Sequence, residues 1–261
     1  TRRSSDLRLA DAARRISGWP GGGETRFTRF RGDGWQIAVA PPARALRAAL
    51  VLAATLRACK DLPDTRIAIG AGAVDTLGTR DLSDGAGLAF NASGRALERI
   101  GRGRRLNIGG AGLTPLHRAV VDLLDERTAR HSPEQAQALA LFLDPAQPTQ
   151  TALAERLGIS PQAMSYRLKG AGADAILSAL AAFAHVLADF VFQTGRIARA
   201  KQARHAGALA LHIAIVLALA IAAPGAWHPV LAALAAAHLV IDLAKTFAPQ
   251  DRLWPFLADQ A

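Results

Sequence analysis

The sequence predicts three successive parts: a ferredoxin-like α+β domain, a helix-turn-helix domain and an all-α transmembrane module. Three observations predict them. Apolar and polar residues nearly alternate on both sides of Gly32-Asp33-Gly34 within Thr25–Ala40, the pattern of two half-buried strands joined by a tight turn. The stretch TQTALAERLGISPQAMSYRLKGAG sets two short helical patterns on either side of Gly158-Ile159. Beyond about residue 173 the chain becomes rich in alanine and leucine, in three apolar segments.

Composition narrows the partners. The 261 residues suffice for two domains or more. A net charge of +10, mostly arginine, points to an anionic partner: nucleic acid, nucleotide or an anionic membrane surface. Cys59 is the single cysteine, which excludes an internal disulfide and a cysteine-built metal site. No signal peptide opens the chain, and the sole methionine is Met164, so the natural N-terminus is expected to precede residue 1.

The first part is expected to run over 1–109. Ser4–Ile16 reads as an amphipathic helix with Leu7, Leu9, Ala12, Ala13 and Ile16 as its apolar residues. The hairpin follows. Pro41-Pro42 opens a helix to about Lys60, with Leu46, Ala49, Leu50, Ala53 and Leu56 on one face. Arg66–Val74 reads as a strand, Asp75–Gly87 as a glycine-rich loop, Leu88–Ile100 as a helix and Arg105–Ile108 as a last strand. One strand added before residue 1 completes a ferredoxin-like sheet. Asp33 projects from the hairpin tip beside Arg29 and Arg31; on this stretch alone an ordinary Asp-Gly turn is the favoured reading, and the composition also suits a magnesium–phosphate site.

RGDGWQIAVAPPARALRAALVLAATL, RIAIGAGAV and DGAGLAFNASGRAL together resemble the catalytic domain of class III nucleotidyl cyclases. The resemblance implies a role for each matching residue. Asp33 falls on the second metal-binding aspartate, and Asn91 and Arg95 on the pair that stabilises the transition state. Asp84 falls on the aspartate that reads the purine, and Arg29 on the lysine that helps it. Magnesium or manganese would be the cofactor. Asn91 and Arg95, at i and i+4, share a helix face and can reach one phosphate. Arg95 would neutralise charge developing on the α-phosphate, while the metal activates the ribose hydroxyl. The first metal aspartate of cyclases lies on an opening strand that this chain does not contain, and Arg29 in place of lysine leaves the purine open. Residues 1–172 also resemble bacterial SatD-like proteins, which join this pattern to a helix-turn-helix.

The second part is expected over 110–172. Gly109-Gly110 and Gly112 read as a hinge, followed by helices Thr114–Arg127 and Ser132–Leu143. Thr149–Leu157 and Ser160–Leu168 then form the helix-turn-helix, with Leu153, Leu157, Ile159, Met164 and Leu168 as its small core. Gln162, Ser165, Tyr166 and Arg167 face outward, where a reader of the DNA major groove would carry them. The same unit also suits protein contact or dimerisation.

The third part is expected over 173–261. Ala173–Thr194, Ala206–Ala223 and Trp227–Ala248 are near the length of about 20 residues that spans a bilayer. His185, Asp189, Gln193, His212, His238 and Asp242 place ionisable and polar groups inside these segments. They suit interhelical hydrogen bonding or a divalent metal such as zinc. H-V-L-A-D-F-V-F-Q, helical His212, H-L-V-I-D-L-A-K and F-L-A-D-Q resemble the bacterial membrane family called domain of unknown function 3307, over about residues 180–261. That family implies a location and no activity. The basic loop Arg196–His205 and the preceding parts both belong in the cytoplasm, which one crossing at 173–194 does not satisfy.

The expectation is a bacterial inner-membrane regulatory protein with cytoplasmic soluble parts. It would bind nucleotide, contact DNA and form a homodimer. The alternatives are an active cyclase making cyclic nucleotide and pyrophosphate from ATP or GTP, and a membrane metal-dependent enzyme or carrier under soluble control.

Overall fold

A computed structural model describes residues 2–30, 34–62, 64–110 and 113–191, with side chains of the last helix through Ala184. The described residues form eight helices and four strands. Helix α1 (Arg2–Ser17) precedes the hairpin β1 (Arg26–Phe30) and β2 (Gly34–Ala38). A 3-10 turn at Pro42–Arg44 opens α2 (Ala45–Arg57). Strand β3 (Ile67–Ala71), helix α3 (Leu88–Glu98) and strand β4 (Leu106–Gly110) follow. Then come α4 (Pro115–Ala129), α5 (Pro133–Phe142), α6 (Gln150–Leu157), α7 (Pro161–Ala171) and α8 (Ala173–Val191).

The expected fold class is corrected in two respects. The strands do not make one ferredoxin-like sheet. β1 and β2 pair antiparallel, β3 and β4 pair parallel, and the result is two separate two-stranded sheets in a mostly helical chain. The Trp35 indole N–H donates to Thr65 Oγ1 at 3.3 Å just before β3. That is a side-chain bridge, and it leaves the two sheets without a common ladder. Alternation identifies strands, but it does not choose their partners.

The second correction concerns the membrane. No helix among the described residues is long and apolar enough to cross a bilayer. The first segment expected to do so forms α8, and its start is part of the folded core. Ala173, Ile176, Leu180, Phe183 and Ala184 are buried at helical spacing, while Asp174 and Ser178 on the other side are exposed. Phe183 meets His117 of α4 edge-on, with ring centroids 5.6 Å apart. Alanine raises mean hydropathy without making a helix apolar all round, which is why composition misled here. The segments Ala206–Ala223 and Trp227–Ala248 lie outside the described residues.

Helix α2 is the axis of the core. Nine of its residues are buried, from Leu46 to Leu56, so it is apolar on nearly every side. Leu9 and Ile16 of α1, Ile67 and Ile108 of the parallel pair, Leu139 of α5, Met164 of α7 and Phe183 of α8 belong to the same apolar cluster.

Cations close the helix ends around this axis. A helix C-terminus leaves carbonyls without intrahelical partners and carries partial negative charge. Arg15 of α1 donates to Ala140 O at 2.8 Å and Arg47 of α2 to Leu143 O at 3.2 Å, both at the end of α5. Arg57 of α2 donates to Ala129 O at 2.6 Å and His131 O at 3.0 Å at the end of α4. Arg127 of α4 reaches Gly170 O and Ala171 O at 3.2 Å each, at the end of α7. His131 Nε2, which must donate to a carbonyl, also takes Ala171 O at 2.9 Å.

Burial, with help from Arg127 and Arg57, holds the His131 pKa below its ordinary 6.5. A depressed histidine pKa means that only the unfolded chain takes up the proton just below pH 6.5. Stability is therefore full above that pH and falls as the pH drops toward the folded-state value, below which the loss levels off. Urea denaturation between pH 7.5 and pH 5 should show this slope in the wild type and a shallower one in His131→Gln; equal slopes would refute the assignment.

Candidate functional site

Helix α3 sits unusually close to the parallel strands. Gly70 and Gly109 are register partners in β3 and β4. A Cβ on Gly70 would lie 2.0 Å from Ala89 O, and one on Gly109 would lie 2.8 Å from Ala92 O. Only glycine fits where a backbone approaches like this. Gly109 and Gly110, expected as a hinge, are thus part of strand β4 and of the floor under α3; Gly112 lies outside the described residues. Ala92 and Ala96 face the floor. Asn91 and Arg95 lie on an exposed flank of the same helix, one turn apart, with Leu88 a turn before them and 57% exposed. Neither Asn91 nor Arg95 makes a side-chain hydrogen bond or ion pair to a described residue. The structure thus brings these two together, as their spacing predicts.

Asp84 ends a short 3-10 turn (Leu82–Asp84) in the loop that leads into α3. Its carboxylate accepts from Thr79 N at 3.1 Å and from Thr79 Oγ1 at 2.7 Å. Those hydrogen bonds from Thr79 hold its pKa below the usual carboxylate range. The loop docks on the hairpin: Leu82 N donates to Thr28 Oγ1 at 3.0 Å, and Arg26 donates to Gly78 O at 3.0 Å. Successive strand residues point to opposite faces. Thr28 faces this loop, and Arg29 pairs instead with Asp6 of α1. Arg29 and Asp84 are therefore on opposite sides of β1. Asp33, the expected metal ligand, lies outside the described residues.

The helix-turn-helix is built from local signals. Thr149 caps α6 by accepting from Ala152 N at 3.2 Å, and Ser160 caps α7 by accepting from Ala163 N at 3.2 Å. Gly158 takes the left-handed conformation between them, with φ of 62°. Leu153, Met164 and Leu168 are buried, and Leu157 and Ile159 pack against the same core. On the other face of α7, Gln162, Ser165, Tyr166 and Lys169 are exposed, Tyr166 by 76%. Arg167 departs from that set: its guanidinium turns back to Gln137 Oε1 of α5 at 3.4 Å.

The side chains of His185 and Asp189, and Gln193, His212, His238 and Asp242, lie outside the described residues. Among the described residues, no group of three His, Cys, Asp or Glu side chains is placed to hold a metal ion. Sequence reasoning overlooked Arg44 and Arg47, which are 4% and 1% exposed at the start of α2. A signal was present: Arg44, Arg47 and Leu50 fall at three-residue spacing on a stripe that is otherwise apolar.

The glycine floor is directly testable. Gly70→Ala should destabilise the protein by about 3 kcal/mol, because the added methyl meets backbone that cannot yield. Denaturant unfolding checks it; an unchanged midpoint would show that α3 can lift from the strands.

Residues 177–261, less than half of the chain, match the model of a family described as a protein of unknown function, DUF3307. The match begins inside α8, where Leu177 packs on the core and Leu180 and Phe183 are buried in it. No curated protein and no solved structure gives a significant match to this chain.

Proposed function

We propose that this is a regulatory protein that contacts DNA through α7 and binds a nucleotide over α3. The observation that carries the first half is the division of α7 into two faces. Met164, Leu168 and Ala171 are buried, while Gln162, Ser165, Tyr166 and Lys169 are exposed. Polar side chains that no core contact needs, on the second helix of such a unit, suit base edges and phosphates. Arg167 is not in the proposed contact set, because it is directed to Gln137. The basic balance of the chain favours the same partner.

The nucleotide half rests on Asn91 and Arg95. Both are exposed on one face of α3 and have no side-chain partner among the described residues. A guanidinium and an amide one turn apart suit a phosphate. Cyclase activity with magnesium or manganese is the stronger form of this reading. A second copy of the chain is the further proposed partner.

Selection of duplexes from a random library by the full chain should enrich one sequence. Gln162→Ala should then lose about 1–3 kcal/mol of discrimination at one position, and Lys169→Ala should lower the salt slope by about one. No enrichment, or unchanged binding in both variants, would remove DNA from this reading. Titration with ATP and GTP in magnesium or manganese should give binding that Arg95→Ala weakens by about 2 kcal/mol. Cyclic product lost in the same variant would raise the site to an enzyme; equal binding by wild type and variant would sink the α3 site.

A further inference from the structure

The start of α2 holds two buried guanidinium groups whose donors are only partly met among the described residues. Arg44 donates from Nη2 to Pro20 O at 2.6 Å, and its Nε and Nη1 are buried without a hydrogen-bond partner. Arg47 donates from Nη1 to Leu143 O at 3.2 Å, and its Nε and Nη2 are likewise buried without one. Burial above all, with repulsion from Arg44, lowers the pKa of Arg47 to about 10 against the opposing charge of Asp144. Burying a guanidinium is costly unless its donors are met by acceptors. Here two charges that repel each other share one turn of helix, with one carbonyl apiece.

The surroundings suit an anion. The 3-10 turn Pro42–Arg44 runs straight into α2, with Arg44 N donating to Pro41 O and Ala45 N to Pro42 O, so both guanidinium groups leave the first turns of one continuous element. The exposed loop Pro20–Gly23 lies over Arg44. A Cβ on Gly21 or Gly22 would stand 3.7 or 3.6 Å from its guanidinium, so this cover is thin backbone. Gly21 is at φ of 64°, a conformation that glycine leaves and re-enters without strain. Displacement of that loop would open Arg44, one helical turn from Arg47, to a small anion.

We propose that Arg44 and Arg47 form a binding site for a phosphate-type oxyanion. The four nitrogens without partners belong to two planar forks. A tetrahedral phosphate has enough oxygens to accept from both, whereas one carboxylate has two. The site is separate from the face of α3 that carries Asn91 and Arg95, and it stands or falls independently of the nucleotide reading.

Isothermal titration of the full chain with inorganic phosphate, at ionic strength matched by chloride, tests it. The wild type should bind phosphate, and Arg47→Met and Arg44→Met should each weaken binding about tenfold or more. Arg14→Gln removes one exposed charge from α1 and should leave the affinity unchanged. Replacement of a buried charge by an apolar side chain of similar length is commonly tolerated, and circular dichroism verifies folding of each variant. Should one arginine variant fail to fold, the other decides. Absence of phosphate binding by the wild type overturns the proposal. So does equal affinity in a folded arginine variant, or an equal loss in Arg14→Gln, which would mark general charge attraction.

Discussion

Cations on helix C-termini are the constraint that the rest of this structure depends on. A helix placed end-on into a core presents carbonyls that water cannot reach, and each must find a donor. Here the donors come from neighbouring helices. Helix α2 supplies Arg47 to α5 and Arg57 to α4, and α4 in turn supplies Arg127 to α7. The apolar cluster sets how closely the helices pack. The guanidinium groups set where each helix stops against the next. They also tie the expected first and second parts of the chain together, because α1 and α2 hold the ends of α4 and α5.

This changes the meaning of the charge. Arginine was read as the mark of an anionic partner, since composition registers only the sum. Arg15, Arg57 and Arg127 are directed to carbonyls, and Arg105 pairs with Asp64 at 2.8 Å while its own backbone N–H donates to buried Asp125 at 3.0 Å. Fewer arginines are left to face a partner than the composition suggests. Long side chains that carry a charge across an apolar surface can do both jobs, and sequence alone does not divide them.

Features with a local cause were legible. Thr149, Gly158 and the Ser160-Pro161 pair mark both ends of α6 and the start of α7 within a residue, because caps and left-handed turns are written in the residues that make them, while α7 runs to Ala171, three residues past the expected Leu168. The hairpin was legible from alternation, and the shared face of Asn91 and Arg95 from their spacing. Features settled by distant contacts were not. Whether β2 ladders with β3 depends on what lies between them. Glycine in a strand reads equally as hinge or as floor, and Gly109 became floor only because α3 lies on it. The direction of Arg29 depends on which side of β1 meets α1. The membrane reading of α8 failed because an alanine-rich face counts as apolar whether or not anything covers it.

The contact of Phe183 with His117 has a mechanical consequence. The segment that matches the family of unknown function does not hang from the rest by a slack tether. It begins as one continuous helix whose first turns are wedged between α4 and the start of α2, where Ala184 meets Ala43. A pull or twist on that helix is delivered to His117 as displacement and not absorbed as loop motion. Exchanging the segment at residue 177 would take Leu180, Phe183 and Ala184 out of the core and leave a void beside α4.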